Sequence, residues 1–183
     1  MMRLLLAFSV CVGLLQADFI VFPSTLTVSA GEVFSLGINV DSITDLYAFQ
    51  FDLKFDQGAL QAISETEGSF LASGGPTLFI PGTIDNFNGF VTGLADSLEG
   101  VGPGVSGGGR LAEVTFQAIG VGSTSVNILN LLSLDSTGSG IQAGVQDANV
   151  QVVATPEPSY LPLVLLLGMC IPVLRQRPLL PRK

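Results

Sequence analysis

Tyr47-Ala48-Phe49-Gln50-Phe51-Asp52-Leu53-Lys54-Phe55-Asp56 is the stretch that decides the fold. Tyr47, Phe49, Phe51, Leu53 and Phe55 fall on one side of an extended chain; Gln50, Asp52, Lys54 and Asp56 fall on the other. A period of two marks a β-strand with one buried and one wet face, because successive side chains leave the pleat in opposite directions. Glu32 to Val40 repeats the pattern, with Phe34, Leu36, Ile38 and Val40 inward. Leu111 to Ile119 does so again, with Ala112, Val114, Phe116 and Ala118 facing away from Glu113, Thr115 and Gln117. Leu26 to Val28, Leu60 to Ile63, Ser125 to Leu134 and Ala148 to Val153 read as further strands.

Turn signals separate these runs: Ala30-Gly31, Gln57-Gly58, Gly74-Gly75-Pro76, Pro81-Gly82, Asn88-Gly89 and Ser139-Gly140. Asn88-Gly89 suits a two-residue type I′ hairpin, whose central residues both need positive φ. Gly100 to Gly109 reads as a flexible loop. Within it Gly102-Pro-Gly104-Val-Ser-Gly107 matches G-x-G-x-x-G, but it precedes a strand rather than a helix, so the setting for a pyrophosphate is missing. No interior segment has the 3.6 period of an amphipathic helix. Short strands at regular spacing predict an all-β protein, an antiparallel β-sandwich.

The two ends are built differently. Arg3, the apolar run Leu4 to Leu15 and the small residue Ala17 have the order of a secretory signal peptide, residues 1–17. At the other end Pro156-Glu157-Pro158 precedes an apolar run, Tyr160 to Leu174, and a basic tail with Arg175, Arg177, Arg182 and Lys183. Pro162, Gly168 and Pro172 interrupt that run, which is shorter than the ~20 residues of a full span. Residues 155–183 resemble the PEP-CTERM sorting signal of Gram-negative bacteria. The resemblance implies export, cleavage by signal peptidase and by an exosortase-type protease, transient anchoring in the inner membrane, and delivery to the cell envelope, surface or extracellular matrix. The expected architecture is therefore a sandwich domain, 18–154, flanked by a signal-peptide helix and a hydrophobic sorting helix.

Removing the ends changes the electrostatics. Five of the seven basic residues lie in them, leaving Lys54 and Arg110 against 14 acids, a net charge of −12. Such a surface favours solubility and repels nucleic acid and anionic lipid. Cys11 and Cys170 also fall in the ends, so the domain must be held by packing rather than by a disulfide.

Leu46-Tyr-Ala-Phe-Gln-Phe-Asp-Leu-Lys-Phe-Asp56 followed by Gly58-Ala59-Leu60-Gln61-Ala62-Ile63 is similar to the cohesin domain, as are Thr25 to Val40 and the pair Arg110–Phe116 and Gly122–Ser125. Phe55-Asp56-Gln57 stands where that family prefers Tyr-Asp-Pro. The resemblance covers most of residues 20–153 and implies a jelly-roll sandwich of about nine strands. It also implies a non-catalytic module for protein–protein interaction, with a dockerin-like protein as partner.

The chemical inventory is thin. The chain has no His and the domain no Cys, which excludes Ser-His-Asp and Cys-His nucleophiles and ordinary zinc sites. A glycosidase needs only a carboxylate pair; Asp52, Asp56, Glu65, Glu67, Asp96 and Glu99 are the acids at hand, read first as solvated charge. No cofactor is expected. Calcium is the one ion to carry: Asp41 and Asp45 flank a short loop, and Asp85, Asn86 and Asn88 cluster hard oxygen donors. Asx-type turn chemistry accounts for the same residues. A carbohydrate-binding module associated with exopolysaccharide is the alternative function. With no Trp in the chain, its platform would be Phe87 and Phe90.

Overall fold

Both of the strongest alternating runs belong to one strand. The computed structural model describes residues 16–155, and β3 (Val33–Lys54) is its spine. Ser42 (φ 55°) and Asp45 (φ 59°) are left-handed, and the register with β8 (Val105–Ala118) shifts on either side of Ile43. Asp tolerates this region better than most residues. The Asp45 carboxylate also fixes the corner, accepting Gly104 N–H at 2.5 Å and Ser136 Oγ–H at 2.6 Å. Beyond the corner β3 changes partners and enters a second layer.

In the first layer, β10 (Ala143–Gln146), β1 (Ala17–Phe22), the first half of β3, β8 and β4 (Leu60–Glu67) lie side by side. In the second, β5 (Thr77–Ile80) and β6 (Thr83–Asp85) both pair with β7 (Phe90–Leu98). The second half of β3, β9 (Gly122–Asp135), β11 (Ala148–Val153) and β2 (Thr25–Ser29) follow in order. The pairs are antiparallel except for β1 with β10 and β2 with β11, which run parallel. The cohesin-like sandwich is thus present, with eleven strands: the first and last strands are each divided and pass from one layer to the other.

Between the layers the inward residues expected from the sequence are buried, with Phe34 and Tyr47 partly so. Phe55 meets Phe116 edge-on, centroids 5.4 Å apart, and Phe34 stacks on Phe116 at 6.0 Å. Such pairs add about 1 kcal/mol each beyond their area.

Two local expectations are corrected. Val105 to Gly109, read as loop, is the start of β8; its glycines let it pass close to Phe70 of α1 (Ser69–Ala72), whose ring lies 2.9 Å from where a Gly109 Cβ would stand. The β6–β7 turn is not type I′. It spans Asn86 to Gly89, only Gly89 is left-handed (φ 72°), and Gly89 N–H closes on Asp85 O at 2.9 Å. Finally, β5 and β7 occupy a region that shows no clear period. The expected signal and sorting helices, with Pro156, Glu157, Pro158, Arg175 and Arg177, lie outside the described residues, apart from Gln16 and Ala17; Ala17 is the first residue of β1.

The layers are stitched along one side by side chains from β4. Glu67 Oε1 accepts Thr77 Oγ–H at 2.5 Å and Glu65 Oε2 accepts Gly82 N–H at 2.6 Å. Asn86 copies a strand neighbour, its amide accepting from Ala62 N–H at 2.8 Å and donating to Ala62 O at 2.9 Å. Ala62 is buried, so losing both bonds strands two backbone groups away from water. Asn86→Ala is expected to lower the unfolding free energy by about 3 kcal/mol in urea titration. A change below about 0.5 kcal/mol would show that the seam is not structural.

Candidate docking face

The outer face of the second layer is where the sequence pattern and the structure part company. Ala48, Gln50, Asp52 and Lys54 of β3 point outward, as expected. On the flanking strands the alternation is reversed halfway along. In β7 an extra residue at Gly93 (φ 74°) lies opposite Asp52, so Val91 and Leu94 both face inward. In β9 Asn130 (φ 52°) does the same, with Leu129 opposite Asp52 and Leu132 opposite Gln50.

A β-bulge inserts one residue and turns every following side chain to the other face. Asp96 and Ser133 therefore point into the sandwich on either side of Phe49, while Ala95, Ser97, Leu132 and Leu134 point out. One carboxylate holds both bulges: Asp52 Oδ1 accepts Gly93 N–H at 2.7 Å, and Oδ2 accepts from the Asn130 amide at 2.6 Å.

The result is a groove of about 190 Å³. Two cross-strand rows build it, Leu78–Ser97–Ala48–Leu134 and Ile80–Ala95–Gln50–Leu132. Small residues make much of the floor, and apolar walls rise from β5 and β9. Leu78, Ile80 and Leu132 remain 52%, 49% and 50% exposed. The chain has thus given up leucine burial and placed two polar side chains inside. Ser133 finds a partner in Ile141 O at 3.0 Å. Asp96, 2% exposed, has no donor for either oxygen. Burial, with Glu67 adding repulsion, pushes its carboxyl up to about 6.

The other candidates serve the scaffold. Asp45 and Asp85 are held below the usual carboxylate range, Asp45 first by Ser136 and Asp85 first by Asn88. Asp85 accepts from Phe87 N–H and Asn88 N–H at 3.1 Å and from the Asn88 amide at 2.7 Å, which is turn-capping geometry. Asn86 is committed to Ala62, and Asp41 is exposed on β3 opposite Asp18. Among the described residues no three His, Cys, Asp or Glu side chains come together as a metal cluster. Phe87 is 87% exposed at its turn, while Lys54 Nζ covers the Phe90 ring at 4.1 Å. Of the acids weighed for glycoside cleavage, Asp52 spans the bulges, Asp56 caps Gly58 N–H at 2.8 Å, Glu65 and Glu67 stitch the seam, and Asp96 is interior.

Sequence reasoning passed over the groove, although two signals pointed to it. A lone Gly in Thr92-Gly93-Leu94 suggests a bulge inside a strand. In Leu129-Asn130-Leu131-Leu132 the period breaks around a residue that tolerates left-handed backbone.

A β-sandwich with one apolar, bulge-inverted outer face has the features of a binding module. The chain belongs to the cohesin family: the description "Cohesin domain" matches residues 20–153. Cohesin domains are non-catalytic interaction modules. Solved structures agree in fold. A non-cellulosomal cohesin from the archaeon Archaeoglobus fulgidus superposes with a TM-score of 0.63 at 15% identity, covering 75% of this chain and 91% of its own. A type I cohesin–dockerin complex from Clostridium thermocellum gives 0.62 at 12%, covering 76% and 95%. A cohesin in complex with a dockerin from Acetivibrio cellulolyticus gives 0.61 at 19%, covering 75% and 99%. Among curated proteins none matches the chain in sequence.

Proposed function

We propose that this is an exported, exosortase-processed protein of the cell surface or extracellular matrix, whose sandwich docks a dockerin-like protein in the groove between β5 and β9. The observation that carries the reading is the pair of bulges that turns Leu132 and Leu134 outward, opposite Leu78 and Ile80. Solvent-exposed leucines set over a floor of small residues cost stability unless something covers them. The walls stand three strand spacings apart, about 14 Å, and an α-helix about 10 Å across fits between them. The crystallised dockerin complexes of the fold neighbours support a partner of that kind. The Pro156-Glu157-Pro158 signature and the basic tail support export and processing, with transient membrane association through the C-terminal segment.

Pull-down from the secreted proteins and exopolysaccharide of the source organism tests this, with Ala48→Arg and Ala95→Arg as blocked versions. Both positions are outward, so the variants keep the unfolding midpoint. Recovery of the partner should fall at least 100-fold. Equal recovery by the blocked versions would remove the groove from the interface. Recovery of polysaccharide instead would favour the carbohydrate-binding reading, for which Phe87 is the exposed ring.

The charge of −12 on the expected domain implies a basic partner surface. Association should slow at least tenfold between 50 mM and 500 mM salt, as screening removes the steering. A rate independent of salt would contradict a basic partner.

A further inference from the structure

Asp96 sits on the reverse side of the groove floor, between Ala95 and Ser97, whose side chains form that floor. Its cross-strand neighbours on the inward side are Phe49 of β3 and Phe79 of β5. The charges around it are all of one sign. Glu65 and Glu67 come from β4, the first bonded to Gly82 N–H and the second to Thr77 Oγ–H. The inward residues of β3, namely Leu46, Phe49, Phe51 and Leu53, carry no charge, nor do any residues of β5 and α1 or the rest of β7. The two basic residues of the domain are engaged elsewhere, Arg110 with Glu113 and Lys54 over Phe90.

An ionised carboxylate in this position must reach water, and the shortest way out is past β5. That strand has four residues, pairs only with β7, and carries the Leu78 and Ile80 wall. Ties at its N-terminal end are few: Thr77 to Glu67, and Glu99 N–H to Pro76 O at 2.8 Å. Opening it hydrates Asp96 while leaving β3, β9 and β11 paired.

We propose that Asp96 is a proton-operated catch for one wall of the groove: neutral, it lets β5 close on β7; ionised, it drives β5 off and takes Leu78 and Ile80 with it. The regulatory meaning rests on the groove being the docking face; the catch itself does not. Its sign follows from the interior position. Opening returns the carboxyl from about 6 to the ordinary carboxylate range, so the open fraction grows about tenfold per pH unit between that range and 6 and levels off above it. A partner would then be held in mildly acidic surroundings and released in neutral ones.

Hydrogen exchange of the full-length chain reads β5 directly and needs no partner. With rates corrected for intrinsic exchange, protection of the Leu78 and Ile80 amides should fall about tenfold between pH 5 and pH 7.5 and stay far below that of the β3, β9 and β11 amides, which open only with the whole domain. Asp96→Asn should abolish the fall, and Asp96→Leu gives a second uncharged side chain should the Asn variant fold poorly. Equal pH dependence in the variants, or Leu78 and Ile80 amides as well protected as those of β3, β9 and β11, would overturn the catch. Restoration of protection at pH 7.5 by 5 mM calcium alone would overturn it too, because Asp96 would then be a cation ligand. Failure of the pull-down with an intact exchange result would leave the catch standing and remove the docking reading.

Discussion

Asp52→Ala is expected to lower the unfolding free energy by about 3 kcal/mol and to erase the groove. Its carboxylate is outward and half-buried, so a surface substitution would ordinarily matter little. Here the two oxygens bind the bulges on both neighbouring strands, at 2.7 and 2.6 Å. Hydrogen bonds to a charged acceptor contribute about 1.5–3 kcal/mol each when buried; the partial exposure of Asp52 puts the pair at the lower end of the sum. Without them the left-handed conformation of Asn130 has less to hold it, and β9 can relax by one residue. That slip would carry Leu132 and Leu134 into the core and Ser133 out. Urea titration gives the loss, and leucine methyl shifts reveal the slip. Asp52→Asn is the control: Asn130 can turn its amide to accept from the new NH2, so the cost should be about 1 kcal/mol. Asp52→Ala with unchanged leucine shifts would mean that the bulges hold themselves.

The second large effect is a stability profile that declines towards neutral pH. Asp96 has its carboxyl pushed up to about 6 from an ordinary 3.8, first by burial and then by Glu67. Between those values the folded chain holds a proton that the unfolded chain has released, so stability falls as pH rises through the window. The full difference corresponds to about 3 kcal/mol, of which about 2 kcal/mol is lost between pH 4 and pH 7. Asp45, Asp85 and Asp135 act oppositely. Their turn hydrogen bonds hold them below the usual range, so the stability they add is present above 3.8 and lost as pH falls further. The maximum should therefore lie near pH 4 to 5. Chemical denaturation from pH 3 to 8 measures it, and Asp96→Asn should flatten most of the upper limb, leaving the smaller decline from Glu65, whose carboxyl burial also raises. An upper limb unchanged in the variant would place its cause elsewhere.

Much of this architecture could be read in advance, and the reason is local. The inward sets of β3 and β8 follow from period-two alternation, which burial on one face enforces residue by residue. The same rule concealed the groove. β7 and β9 obey the period on either side of Gly93 and Asn130 but in opposite phase, so counting along either strand assigns its second half to the wrong face. Only the register against β3 shows the shift, and register is a relation between strands, not a property of one. Asp52 was legible as an outward acid, but its role as the clamp of two bulges depends on atoms 41 and 78 residues further along the chain. Asn86 shows the same limit: beside Asp85 it reads as a turn or calcium residue, whereas its amide is spent on Ala62, 24 residues away.

The parallel pairing of the first and last strands sets how the domain bears load. β1 runs beside β10 and β2 beside β11, so the chain enters next to Ala143 and leaves next to Ser29, at opposite ends of the sandwich. A pull between the two ends of the domain would then load both ladders along their length. Their hydrogen bonds would be strained together in shear rather than peeled one at a time. A domain built this way resists extension through its terminal strands without any covalent cross-link.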